Sequence, residues 1–314
     1  MKTILAARAS AILYNLLSDK NDGRAFLLPA NICPIVPITF FKAGKPFEFV
    51  DISARTLHMD LEQAEGRIKT GKYGGLLYAH TYGDLSTPQD FFKGIKKKYP
   101  DLLVIDDRCL CIPDLVPDPS SAADVTLYST GYGKIVDQEH AGFAYLSEDL
   151  IYQSHVLPFD RLDLEELEKN YKRSIEAREL YSYSDSAWLQ TDSDLPAWPE
   201  FAERVRAAKE SCIAHRRAVN AVYNSLIPSG LGLSEQYQLW RFNLRLPDKK
   251  KTLDAIFDAH LFASSHYACL AGIVGMGKCP AAEQLASEVI NLFNDTHYTL
   301  EMAERTVKIV SGSL

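Results

Sequence analysis

The sequence has few of the features that would place the protein outside the cytosol. Its six cysteines are scattered and include no Cys-x-x-Cys pair, so a zinc site or a disulfide framework fits poorly. The eight histidines show no metal-ligand spacing, and we predict no metal site. No apolar stretch is long enough to span a bilayer, and Arg8 interrupts the short apolar run after Met1 that would otherwise suggest a signal peptide. The sequence therefore predicts a cytoplasmic protein with reduced cysteines.

An excess of positive charge is also missing. The 34 Lys and Arg residues are outnumbered by 41 Asp and Glu residues, which gives a net charge of -7. This balance argues against a nucleic acid or an anionic membrane as partner. The one dense basic run, Lys96–Lys98, falls at the end of a predicted helix, where lysines complement the helix dipole. With 314 residues, 46% of them hydrophobic, the chain is typical of a globular protein with one large domain or a large and a small one.

Short apolar strands alternate with helical stretches in the first half of the chain. The run around Val104 is continuously apolar rather than alternating, as expected for strands covered on both faces. Thr87-Pro88 looks like a helix start, with a capping threonine followed by proline at the first helical position. This order predicts an α/β fold with a mostly parallel sheet and helices on both faces. The predicted strands are Phe26–Leu28, Phe47–Asp51, Gly75–His80, Leu102–Asp106, Val125–Ser129 and Phe143–Leu146.

The pattern changes after the last of these strands. Apolar residues recur at steps of four and three from Phe201 to Leu226, which indicates one long amphipathic helix. We therefore expect a large domain over 1–160, a helical connector over 161–199 and a smaller α+β domain over 200–314. The further predicted elements are a helix over Leu162–Tyr181, a strand over Tyr237–Leu246, and helices over 250–261, 280–292 and 299–311.

Three polar side chains follow the predicted strands at intervals that suit one ligand. Asp107 comes directly after a buried strand, Ser129 ends the next strand, and Lys134 follows five residues later. A lysine that binds an aldehyde, a carboxylate for a ring nitrogen and a hydroxyl for a phosphate would together hold pyridoxal 5'-phosphate. Each residue alone also fits an ordinary role, as a solvated loop lysine, a helix cap or a turn residue. It is the combination that favours a cofactor site.

Several other motifs are weaker indicators of a ligand site. Gly272–Cys279 nearly matches a phosphate-binding P-loop, but Cys279 replaces the hydroxyl residue that would bind magnesium, and a proline follows it. Gly131-Tyr-Gly133 lacks the third glycine of a dinucleotide fingerprint. His80 and His266 are more typical of packed or capping histidines than of ligands. We predict no nucleotide site at either glycine-rich segment.

Motifs along nearly the whole chain resemble the DegT/DnrJ-type sugar aminotransferases, which have fold type I among pyridoxal-phosphate enzymes. The order and spacing of these motifs are more specific to the family than any single motif is. The segments that carry the resemblance are Leu28–Pro34, Lys42–Pro46, Phe49–Ile52, His58–Leu61, His80–Gly83, Val104–Asp107, Asp124–Lys134, Ser265–Tyr267 and Asn291–Thr299.

The resemblance implies a role for several positions. Lys134 matches the Schiff-base lysine, Asp107 the partner of the pyridinium nitrogen, and Ser129 a phosphate ligand. The stretch that includes Arg8 and Ala9 falls where the first helix of the family begins and holds the phosphate, which suits the free N–H groups of a helix start. Cys33 falls where a ring-stacking aromatic residue is common. In this family the second subunit of a homodimer completes the site, so a homodimer is implied.

The chain also departs from the family pattern. Leu110 stands where the family usually has glutamine or histidine near the ring hydroxyl of the cofactor, and neither Asn31 nor Cys33 is aromatic. A segment that helps to close the site in relatives has no counterpart ahead of Met1. These departures weaken the expectation of ordinary substrate recognition more than that of cofactor binding.

The leading hypothesis is a pyridoxal-phosphate-dependent aminotransferase that acts on a keto sugar, nucleotide-linked or not, or on another small ketone. Lys134 favours amino transfer over sugar dehydration, because the resembling dehydratases have histidine at this position. A second hypothesis is a degenerate family member that binds cofactor or sugar without turnover, since a fold alone does not fix function. Loss of a near-visible absorption band on borohydride treatment would separate a cofactor-binding protein from a scaffold.

Overall fold

Seven strands form the main sheet in the computed structural model, which describes residues 1–20, 22–228 and 230–314. Their order is β1-β7-β6-β5-β4-β2-β3, and only β7 runs antiparallel to its neighbours. All six strands expected from the sequence are present, and β1 is an addition at the edge. The predicted α/β class with a mostly parallel sheet is confirmed. The strands are β1 (Lys2–Ala6), β2 (Ala25–Pro29), β3 (Phe47–Val50), β4 (Tyr73–Ala79), β5 (Leu103–Asp107), β6 (Val125–Ser129) and β7 (Gly142–Leu146).

Helices cover both faces of this sheet. Alternate residues of β4 show this, because Leu77 packs into the core that contains Ile12 and Leu16, whereas Leu76 packs with Ala64 and Phe92. Both faces are therefore apolar, which explains the continuous apolar runs in the sequence. The helices of this part of the chain are α1 (Ala9–Asp19), α2 (Ile35–Lys42), α3 (Leu61–Ile68), α4 (Gln89–Lys98) and α5 (Arg161–Ala177).

A second sheet of three antiparallel strands lies in the C-terminal part, in the order β8-β10-β9. Its apolar residues share a core with α6, α7 and α9. The residues between its strands also reach the main core, where Leu270 and Leu285 are buried. The division after residues 160 and 199 remains a prediction. The elements are α6 (Trp198–Leu226), β8 (Phe242–Arg245), α7 (Lys249–Asp258), β9 (Ala263–Ser264), α8 (Pro280–Glu288), β10 (Val289–Leu292) and α9 (Leu300–Ser313).

Helix α6 confirms the long amphipathic helix read from the sequence. It has 29 residues and buries Phe201, Val205 and Val219 while its other faces carry charged residues. None of the helices within the described ranges is long and apolar enough to cross a membrane.

Three local expectations differ from the structure. The helix expected over 280–292 ends at Glu288, and Val289–Leu292 pairs with β8 because its β-branched and apolar residues fill the centre of the small sheet. The strand expected over Tyr237–Leu246 is confined to Phe242–Arg245, since Tyr237 lies in a short 3-10 turn. Thr87 does not cap α4, because its hydroxyl accepts a hydrogen bond from the Arg108 Nη2 group (2.5 Å).

Candidate active site

The largest concentration of the predicted site residues lies around one cavity of about 300 Å³. The cavity opens where β4, β5 and β6 end and α1 begins, which is the edge where α/β sheets commonly bind ligands. All the residues proposed from the sequence line its wall, namely Arg8, Ala9, Cys33, Asp107, Ser129 and Lys134.

The pairing register of β5 separates the two neighbouring carboxylates. Asp107 lies opposite Ala79 and Leu127, both in the cavity wall, and its Oδ1 atom accepts a hydrogen bond from the Cys109 N–H group (2.9 Å). Asp106 points to the opposite face, because consecutive residues of a strand alternate. Only Asp107 is therefore placed to contact a ligand in the cavity.

Asp106 instead belongs to a buried charged network on the back of the sheet. Its Oδ1 atom lies 2.7 Å from His80 Nε2, and its Oδ2 atom accepts a hydrogen bond from Arg108 Nε (2.7 Å). The other ring nitrogen of His80 lies 2.5 Å from the backbone oxygen of Asp84. Because both ring nitrogens face acceptors, His80 is an imidazolium ion. His80 is thus charged and paired, rather than merely packed or capping.

The pKa of His80 agrees with this geometry. Burial opposes the charged form, but the Cys111 sulfur and the hydrogen-bonded Asp106 carboxylate outweigh it and raise the pKa of His80 to about 10. The network holds the ends of β4 and β5 together. Because Asp106 is the neighbour of Asp107 in β5, the network also fixes the backbone of Asp107.

Lys134 is carried on a tight loop that follows β6. The Lys134 N–H group donates to the Gly131 oxygen (3.2 Å), and the Gly133 N–H group donates to Asp137 Oδ2 (2.7 Å). Gly133 has φ of +73°, a left-handed conformation that glycine adopts without strain. The Ser129 Oγ atom accepts a hydrogen bond from the Gly131 N–H group (3.3 Å), so Ser129 and Lys134 share one turn.

The start of α1 forms another side of the cavity. Arg8 is the N-cap residue, and its side chain makes no capping hydrogen bond, which leaves the first N–H groups of the helix open to a ligand. Gly142 of β7 permits this placement, because a Cβ atom there would lie 2.2 Å from the Ala9 nitrogen. Burial lowers the pKa of Arg8, and the nearby Glu168 carboxylate partly opposes that shift.

The sequence alone did not identify every residue of the wall. Glu168 and Tyr267 lie around the same cavity as Lys134, although they are far apart in the chain, and Asn31, named only as a non-aromatic departure from the family pattern, lies there too. The Tyr267 segment had drawn attention only as part of the resemblance, and no local pattern marked Glu168 in α5. Burial raises the pKa of the Cys33 and Cys109 thiols in this wall, so both are neutral side chains.

The segment that resembles a P-loop has a different role. Helix α8 begins directly after it, and the N–H groups of Ala281 and Ala282 donate to the two carboxylate oxygens of Asp51 (3.0 and 2.9 Å). The N–H groups that a phosphate would need already bind this carboxylate. The resemblance of Gly272–Cys279 to a nucleotide motif is therefore superficial.

Comparison with known proteins supplies matches only at the level of structure. No protein-family model and no curated protein matches the sequence. The fold matches a candidate sugar aminotransferase, Spr1654 from Streptococcus pneumoniae in its PMP form, with a TM-score of 0.72, 16% identity, and 100% of this chain and 89% of that chain covered. It also matches a DegT DnrJ EryC1 StrS aminotransferase from Brucella abortus, with a TM-score of 0.68, 14% identity, and coverage of 99% and 86%.

A third match is DesI, solved in the presence of its TDP-sugar product. It aligns with a TM-score of 0.71 and 13% identity over 99% of this chain and 80% of that chain. The protein therefore has the fold of the DegT-type sugar aminotransferases that its motifs resemble. At these identities the comparison concerns the fold, and function has to be argued from the site.

Proposed function

We propose that the protein is a pyridoxal-phosphate-dependent aminotransferase that acts on a keto sugar. The observation that carries the proposal is the convergence of Lys134, Asp107, Ser129 and the start of α1 on one cavity. These groups come from separate elements of the chain, and each suits a different part of the same cofactor.

The residues of the cavity fit this cofactor. Arg8 Nε and Asn31 Oδ1 are buried polar atoms without a hydrogen-bond partner among the described residues, and both residues lie in the wall. Buried polar atoms are rarely left unpaired unless a ligand or water satisfies them. The wall also brings together the amine of Lys134, the carboxylate of Asp107 and the hydroxyl of Ser129, which are the groups that an aldehyde, a pyridine nitrogen and a phosphate need.

We assign the binding roles as follows. Lys134 holds the cofactor through its ε-amine, and Asp107 keeps the ring nitrogen protonated. Ser129, the Arg8 guanidinium and the free N–H groups at Ala9 bind the phosphate, because a helix start attracts anions. Cys33 contributes an apolar surface of the wall. When bound, the cofactor supplies an electron sink that stabilises negative charge on the substrate carbon.

Lys134 also has a second task in this proposal. Its Nζ atom, when not bonded to the cofactor, would carry a proton between the substrate carbon and the C4' carbon of the cofactor. The hydrogen-bonded turn that ends at Lys134 fixes its backbone and places the residue in the cavity wall. A histidine here would lack the primary amine that holds the cofactor.

The acceptor and the assembly are the less specific parts of the proposal. The structural neighbours include sugar aminotransferases, and DesI was solved with a TDP-sugar product, which supports a keto sugar, nucleotide-linked or not, as the acceptor. Glu168 and Lys172 form an ion pair (2.9 Å) in α5, and Glu168 reaches the cavity wall. The Glu168 carboxylate would contact a polar substrate. A homodimer would complete the site.

Spectroscopy of the purified protein tests the proposal. We expect a near-visible absorption band after incubation with pyridoxal 5'-phosphate, and borohydride should fix the cofactor on Lys134, identified by peptide mass spectrometry. Lys134→Ala should lose the band, whereas Lys169→Ala, at an exposed lysine of α5, should keep it. A band attached to another lysine would overturn the assignment.

Substrate addition then separates turnover from binding alone. If the protein transfers amino groups, glutamate should deplete the band, and a keto sugar should restore it. A band that persists with every amino donor would favour a degenerate member that binds the cofactor without turnover.

A further inference from the structure

Two consecutive backbone oxygens of the Lys134 loop are held by side chains from the C-terminal part of the chain. The Trp240 Nε1–H group donates to the Gly133 oxygen (2.9 Å). The Arg216 Nη2 group donates to the Lys134 oxygen (2.8 Å). These bonds span 107 and 82 positions of the chain, so they join the loop to α6 and to the segment before β8. We call Arg216 and Trp240 the lysine clamp.

Arg216 is an unusual residue for an ordinary helix contact. Its side chain is only 2% exposed. Besides the Lys134 oxygen, its Nη1 group donates to the Trp240 oxygen (2.8 Å) and to Asn294 Oδ1 (2.6 Å). All three acceptors are neutral, although a buried cation is usually paired with a carboxylate because its desolvation costs several kcal/mol. Burial lowers the pKa of Arg216 to about 10, as does the nearby Arg241, so the group is still charged at neutral pH.

Trp240 is fixed by its aromatic neighbours. Its ring stacks on Tyr82 with an interplanar angle of 9° and on Tyr267 with an angle of 10°. Tyr267 lines the cavity that also contains Lys134. Both tyrosine rings are nearly parallel to the indole ring, and these contacts fix the orientation in which its N–H group meets the loop.

We infer that Arg216 and Trp240 are positioning residues for Lys134. By holding the oxygens of Gly133 and Lys134, they fix the backbone from which the lysine side chain projects into the cavity. The inference rests on the proposed function, because it gives the clamp a consequence for a reaction at Lys134. A displacement of the reacting amine by about 1 Å can cost about a hundredfold in rate, so a small loss of tethering should lower kcat.

The replacement Trp240→Phe tests the clamp with little other disturbance. It removes the indole donor and keeps an aromatic ring next to Tyr82 and Tyr267. Hydrogen exchange in the cofactor-free protein should accelerate about tenfold at Lys134 and Gln138, whose N–H groups donate within the loop. Trp198→Phe is the matched control, because Trp198 packs against Phe143 away from the loop and should leave that exchange unchanged.

The replacement Arg216→Met is an independent test, with the exposed neighbour Arg217→Met as its control. In the loaded enzyme both clamp variants should lower kcat at least tenfold, with the KM for the amino donor changed less than about threefold. Faster exchange confined to the loop, together with a lowered kcat and a nearly unchanged KM, supports the inference. Faster exchange throughout α6 and the small sheet would show a purely structural residue, and unchanged exchange in the loop would overturn the clamp.

The two readouts also separate the clamp from the proposed function. If the wild-type protein binds no pyridoxal 5'-phosphate, the proposed function fails, and hydrogen exchange alone still decides whether Arg216 and Trp240 tether the loop. In that case Arg216 and Trp240 could still tether the loop, but they would not position Lys134 for a reaction, and the inferred role would be wrong.

Discussion

The neighbouring carboxylates Asp106 and Asp107 have different surroundings, and replacing them should therefore affect different properties. Asp107→Asn should slow the amino-transfer half-reaction, because the amide holds a protonated ring nitrogen less well than a carboxylate does. The unfolding free energy of this variant should change little, since Asp107 lies at a cavity wall. The half-reaction rate by stopped-flow absorbance measures the first effect, and thermal unfolding measures the second.

Asp106→Asn should show the reverse pattern. It leaves the buried His80 imidazolium and Arg108 without their carboxylate partner, which should cost about 3–5 kcal/mol of unfolding free energy. A larger effect on the half-reaction at Asp106 than at Asp107, in protein that remains folded, would contradict this placement.

His80 should make the stability of the protein depend on pH. Its folded-state pKa of about 10 is above the ordinary value of 6.5. Its contribution is therefore fully present below pH 6.5 and is lost as the pH rises through 10. Between these values the unfolding free energy should fall by up to about 1.4 kcal/mol per pH unit relative to a His80→Gln variant. Urea unfolding of both proteins at pH 7, 8 and 9 measures the difference, and parallel curves would exclude a charged His80.

Single residues differed in how far the sequence could predict their position. Lys134, Asp107 and Ser129 were recognisable because each lies at or just after the end of a strand, and strand ends meet at one edge of a parallel sheet. Arg216 and Trp240 were not recognisable, since their partners lie 82 and 107 positions away and leave no local pattern. The catalytic roles themselves remain proposals that the experiments on Lys134 and Asp107 address.

At the scale of single elements, the start of α8 depends on one carboxylate from the main sheet. Asp51 accepts hydrogen bonds from the Ala281 and Ala282 N–H groups and is only 7% exposed. Asp51→Ala should lower the unfolding free energy by about 2–3 kcal/mol, because it leaves buried N–H groups without a partner. Asp60→Ala is the control, since Asp60 caps α3 at a more exposed site and should cost about 1 kcal/mol. Equal losses in thermal unfolding would contradict a special role for Asp51.

The elements that the sequence predicted well are those with a clear pattern of apolar residues. The strands of the main sheet and the long helix α6 carry continuous or regularly spaced apolar residues, so their positions followed from the sequence. The strand β10 continues directly from α8, and only its pairing with β8 distinguishes it from one more helical turn. The edge strand β1 is short and half exposed, and its pairing partner β7 lies more than 130 residues away. The strand conformation of β1 and β10 therefore depends on tertiary contacts and not on the local sequence.

At the scale of the whole molecule, the C-terminal part supports the site and does not stand apart from it. It supplies Tyr267 to the cavity wall and the lysine clamp to the loop. A movement of this part relative to the main sheet would therefore reach Lys134 directly. The apolar pattern of the sequence predicted a large and a smaller domain, but it contained no sign of these connections because each depends on packing in three dimensions.

A homodimer is the expected assembly, and it would cover apolar side chains that are exposed in a single chain. Tyr132 lies in the cavity wall and is 82% exposed, and Ile151, Val156 and Leu162 in the segment after β7 are each about 70% exposed. Exposed apolar side chains of this kind are typical of surfaces that meet a partner. A closed two-fold dimer would cover both cavities with one repeated surface, and an obligate interface should bury on the order of 2,000 Å² or more in total.

Light scattering combined with size exclusion tests this assembly. We expect a mass about twice the 35.1 kDa of the chain, and Val156→Asp should shift the protein towards the monomer and weaken cofactor binding. Leu300→Asp is the matched control, because Leu300 is an exposed leucine at the start of α9, outside the segment after β7. The reasoning is that a charge buried in an interface without a partner opposes association, whereas the same charge on a free surface does not. A wild-type protein of 35.1 kDa that binds the cofactor fully would show that one chain completes its own site, and the shared-site proposal would then be wrong.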